Sequence, residues 1–95
     1  MEFQWDAGNR PKIEQRFSCE EIEDALMFGE PVLYLSWEDG EEWRYRVVTA
    51  HVLGDLLGIV FVLRGGAVRP FSAFYVTSKD EERAWKRRKP KPPLG

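Results

Sequence analysis

Cysteine is almost missing from this chain. Cys19 is the only one in 95 residues, so no internal disulfide can form, and a reducing, cytoplasmic setting is expected. Histidine is as scarce, with His51 alone, and no grouping of His, Cys and carboxylates has metal-ligand spacing. Long apolar runs are absent too. The longest mainly apolar stretch, Val52 to Leu63, is broken by Gly54, Asp55 and Gly58 and falls well short of the ~20 residues that span a bilayer. No apolar N-terminal run precedes a small-residue cleavage site. Gly65-Gly66 lacks the Lys-Ser/Thr and helix of a phosphate-cradling loop. Neither a metal nor a cofactor is implied.

Acidic residues are missing from one end. All sixteen lie within 1–82, alongside eight basic residues, while 83–95 carries six basic residues and no acid. An acidic body of −8 therefore precedes a basic segment of +6, which suggests contact with a polyanion, self-neutralisation or simple solubilisation. The body has the material of a folded domain: 43% apolar residues, with six Phe, four Trp and three Tyr to fill one small core. A single domain over 1–89 is expected, followed by a Pro-rich basic tail, 90–95, expected to be disordered.

Alternation of apolar and polar residues in Met1–Asp6 predicts a short first strand. Gly8 and Pro11 limit the next helix to about Arg10–Arg16. Ser18 and Glu21 form a capping box ahead of an amphipathic helix carrying Ile22, Ala25 and Leu26 on one face, ended by Gly29 and Pro31. Strands follow at Val32–Trp37, 42–51, Leu56–Leu63 and Val68–Val76, with turns at Asp39-Gly40, Gly54-Asp55 and Gly65-Gly66. In the second of these, Trp43, Tyr45 and Val47 point one way and Arg44, Arg46 and Val48 the other. Pro70 marks the last strand as an edge or a bulge. Ser78 and Glu81 repeat the capping spacing, starting a helix that runs through Trp85 into Lys86–Lys89. The order β-α-α-β-β-β-β-α gives an α+β fold: an antiparallel sheet of four to five strands, helices on one face, the other face free for a partner.

The motifs Phe3-x-Trp5-Asp6-x-Gly8-Asn9, Ser18-x-Glu20-Glu21-Ile22-Glu23, Arg44-Tyr45, Leu56 to Arg64-Gly65-Gly66 and Val68-Arg69-Pro70-Phe71-Ser72-Ala73 follow one another in the order and spacing of the BrnT family. The resemblance spans nearly the whole chain. It implies a RelE-like fold and the activity of a toxin of a bacterial toxin–antitoxin system, a ribonuclease silenced by a cognate antitoxin. The sequence departs from the family at basic positions. Gln15-Arg16 stands for Lys-His or Arg-His, Thr49-Ala50 for Gly-Arg, and Ser72-Ala73-Phe74 for Ser-Ala-Arg; Trp85 replaces a Tyr.

Metal-independent cleavage through the ribose hydroxyl needs a base, cationic donors around the phosphorane and an acid for the leaving oxygen. Arg44, Arg64 and Arg69 are the expected phosphate clamp, since guanidinium forks match phosphate oxygens. Lys12 or Arg16 could supply the missing base only with a pKa-depressing neighbour. Arg46, Lys86, Arg87 and Arg88 extend the cationic set for single-stranded RNA. Against these stand plainer readings: solvated arginines, His51 as a surface histidine, Cys19 as structural, and Trp5, Trp37 and Trp43 as core. Three functions follow: a ribonuclease toxin, an inactive relative that binds a protein partner, or a non-catalytic RNA-binding module. An antitoxin, single-stranded RNA and a second copy are the partners considered.

Overall fold

A computed structural model describes residues 1–88; the expected tail, 90–95, and Lys89 lie outside the described residues. The elements are α1 (Arg10–Ile13), α2 (Cys19–Phe28), β1 (Val32–Asp39), β2 (Glu42–Ala50), β3 (Leu56–Arg64), β4 (Ala67–Tyr75) and α3 (Lys79–Lys86). The four strands form one antiparallel meander, β1-β2-β3-β4. The coarse α+β expectation holds, with three helices and four strands among the described residues.

The first expected strand is reduced to one bridge. Phe3 pairs in parallel with Val68, through hydrogen bonds from Gln4 N to Val68 O and from Val68 N to Glu2 O. Asn9 fixes this segment. Fully buried, its amide donates to Gln4 O and Pro70 O while its Oδ1 accepts from Asp6 N. Every strong hydrogen-bonding group of the side chain is satisfied, as burial demands. The first helix is shorter than expected and stops at Ile13.

In α2, Ser18 Oγ accepts from Glu21 N and Glu21 Oε1 accepts from Ser18 N, completing the capping box. The helix ends at Gly29, where a Cβ would meet Ala50 O at 2.2 Å and Thr49 Oγ1 at 2.4 Å. Gly29 is thus required for close approach, and the left-handed step falls on Glu30, at φ +57°. Both residues of the Gly65-Gly66 turn have positive φ, which suits a tight hairpin. Pro70 sits on an edge strand beside a bulge: Val60 pairs with Ser72 but Phe61 with Pro70, leaving Phe71 extra.

Alternation along β2 divides the sheet. Val47, Leu57, Ile59 and Val68 meet Ile13, Ile22, Ala25 and Leu26 of the N-terminal helices and Phe17 of the turn between them, forming the core. The opposite face is not free, which corrects the expectation of helices on one face only. Helix α3 packs there: Glu81, 4% exposed, takes a fork of two hydrogen bonds from Arg46, 2.6 and 3.2 Å. Because Glu81 serves Arg46, Ser78 caps α3 from one side only, through a long contact with Glu81 N. Trp85 Nε1 donates to the carbonyls of Gly29 and Glu30, tying the other end of α3 to the start of β1. The helix ends at Lys86, the first residue of the basic run, with Arg87 as its C-cap.

Candidate functional site

Register brings three of the expected residues together. Arg44 of β2 and Arg69 of β4 both pair with Val62 of β3, and Arg64 follows two residues later on β3. With strands ~4.8 Å apart, Arg44 and Arg69 stand about 10 Å from each other across the sheet. Their guanidinium groups occupy the face that α3 shares, near the β1–β2 and β3–β4 turns.

Each arginine already has a carboxylate. Arg69 forks onto Asp6 at 2.6 and 3.0 Å. Arg64 forks onto Glu42 at 2.9 and 3.0 Å. Arg44 Nε lies 2.9 Å from Asp39 Oδ2, but the buried Nε–H is not aimed at that oxygen and finds no acceptor. Proximity therefore makes this an ion pair, without a hydrogen bond. Arg44 is held instead over the Phe71 ring, 4.6 Å from its centroid, as Arg46 is held over Phe74 at 4.5 Å. Both side chains run from β2 to β4, so their stems roof the buried Val60 and Val62 of the strand between.

Three cations and three anions give a charge-compensated patch. The Arg69 guanidinium, aided by the Gly8 amide, holds Asp6 below the usual carboxylate range. Arg64 does the same to Glu42, and Glu42 in turn raises Arg64. A general base works best with a pKa near the operating pH; carboxylates shifted this way are poorer proton acceptors.

The other expected residues lie elsewhere. Lys12 and Arg16 line a groove of about 190 Å³ with Ser72, Ala73 and Phe74, four residues back along the sheet from Arg64, or roughly 13 Å. Lys86 pairs with Glu82, and Arg88 pairs with Glu30 while stacking on Trp85 at 3.4 Å. Arg87 is the C-cap of α3. These three sit at the start of β1, away from the arginine patch. No set of three His, Cys, Asp or Glu residues among those described is arranged to hold a metal ion.

His51 is buried, not a surface residue. Its Nδ1 accepts from Leu53 N at 3.1 Å, so the neutral ring carries its proton on Nε2, which donates to Glu21 Oε2 at 2.6 Å. Glu21 thereby joins the start of α2 to the β2–β3 loop, and its pKa is lowered, first by the Ser18 amide and then by His51. Burial pushes the Cys19 thiol up, away from the reactive thiolate. Trp37 and Trp43, expected in the core, are 38% and 52% exposed; only Trp5 packs against it, donating Nε1 to Glu23 at 2.7 Å.

Sequence reasoning missed the acidic partners. Glu42 and Arg64 are 22 positions apart, Asp6 and Arg69 63, and no periodicity links such pairs. The capping box was the one signal pointing to Glu21, and it explains only one of that residue's two oxygens.

Compared with protein-family models, curated proteins and solved structures, the chain matches none of them.

Proposed function

We propose that this chain has a BrnT-like fold that acts by binding a protein partner and has lost the ribonuclease chemistry of such toxins. The observation that carries this reading is the pairing of Arg44, Arg64 and Arg69 with Asp39, Glu42 and Asp6. An RNA phosphate would have to displace those carboxylates and be held against their charge. Asp6 and Glu42 are held below the usual carboxylate range by Arg69 and Arg64, and Lys12 and Arg16 stand at the far end of β4.

Retained ribonuclease activity is the second reading, favoured by the convergence of three guanidiniums on one face with Trp37 exposed directly across from Arg44. Labelled single-stranded RNA incubated with the protein in EDTA separates the two. The expected outcome is no cleavage, with the native protein matching an Arg64→Ala, Arg69→Ala double variant. Cleavage by the native protein alone would establish the nuclease and overturn the proposal.

A further inference from the structure

The helices on the core side of the sheet cover only half of it. Beyond Leu26 and Pro31, a groove of about 380 Å³ opens over Leu33, Tyr45, Phe61 and Leu63. Tyr45 and Phe61 stack at 5.5 Å to form its floor, while Leu33 and Leu63 are 56% and 51% exposed. Trp43 continues the same face toward the β1–β2 turn. The largest apolar patch of a monomer often marks an interaction site.

From this we infer that the floor is a docking site for a short amphipathic helix of a partner protein, with basic residues flanking its apolar stripe. The inference rests on the partner-binding reading above. Three observations select this occupant. The free edge of β1 is a poor template for an added strand, because its ladder is interrupted by a bulge between Leu33 and Leu35 and it ends in Glu38-Asp39. An occupant must then lie on the face, where α2 already shows that a helix packs. The floor runs from Val47 to Trp43, about 14 Å at the strand rise, the length of two to three helical turns. At the β1–β2 end of this face stands an acidic residue without an ion pair among the described residues, Glu38, cross-strand from Trp43. The arginines of the sheet, Arg44, Arg46, Arg64 and Arg69, point to the opposite face and are occupied by Asp39, Glu81, Glu42 and Asp6.

The test uses the full chain and a fluorescein-labelled helical peptide of about 14 residues, with leucines at i, i+3, i+4 and i+7 and lysines flanking them. A glutamate-flanked version and a proline-broken version serve as controls. Fluorescence anisotropy should show saturable binding of the lysine peptide, weakened at least about tenfold by Leu33→Lys with Leu63→Lys. These positions are half exposed, so an unchanged melting temperature shows that the variant is folded. The two control peptides should bind no better than to that variant. Equal binding of the lysine peptide to native and variant protein, or none, would overturn the site. So would a native dimer, seen by light scattering, that the double variant dissociates, since a second copy would then cover the floor. The RNA assay on the same preparation keeps the two proposals apart: cleavage sinks the functional reading, whereas absent cleavage with absent peptide binding sinks only the docking site.

Discussion

Asn9 is the residue on which the N-terminal segment depends. Its Nδ2 bridges two carbonyls from opposite ends of the sequence, Gln4 and Pro70, and alanine there would leave buried backbone groups unpaired. Asn9→Ala is expected to cost about 2–4 kcal/mol, read as a lower urea midpoint; Asn9→Asp should fare no better, since it would set a carboxylate against those carbonyls. Glu21, Asp6 and Glu42 make a different prediction. Each has a folded pKa below its ordinary value, so each stabilises the fold when ionised. That contribution is fully present above the unfolded value, 4.5 for glutamate and 3.8 for aspartate, and is lost as pH falls through the lower folded value. The urea midpoint should hold from neutrality to about pH 5 and then drop; Arg64→Met with Arg69→Met should drop less over that acid range, having no such pairs to lose.

At the level of elements, α3 shows what could and could not be foreseen. Ser78 and Glu81 announced where the helix begins, and it begins there. Local spacing could not announce that Glu81 turns away to Arg46, 35 positions earlier, because the pair exists only once β2 and α3 lie on the same face. Removing Arg46 alone would strand a buried carboxylate. Arg46→Met should therefore destabilise by roughly 3 kcal/mol, while Arg46→Met with Glu81→Leu should recover much of the loss, a difference that thermal unfolding of the two variants would report. The strands were legible for a related reason. Turn residues at Gly40, Gly54 and Gly65-Gly66 and the alternation of β2 are local signals, and they placed the hairpins. The side of the sheet that each helix takes is not a local property, and there the expectation of one free face failed. Of the candidate site, the three clamp arginines were legible as a group. Their neutralising partners were not, being distant in sequence and of a residue type too common to single out.

The first 82 residues are acidic on balance, yet the four arginines of the sheet, Arg44, Arg46, Arg64 and Arg69, are spent on internal pairs, and exposed apolar side chains lie on both faces, Leu33 and Trp43 on the side of α2 and Leu35 and Trp37 on the other. No helix among the described residues is long and apolar enough to cross a membrane. The parallel bridge of Phe3 to Val68, with Asn9 clasping Pro70, 61 positions ahead, joins one segment of the chain to a strand synthesised well after it. Trp5 can reach Glu23 as soon as α2 is made, but the bridge of Phe3 must wait until β4 has emerged. Pairing over so long a range slows folding, and Asn9 holds this pairing once it has formed.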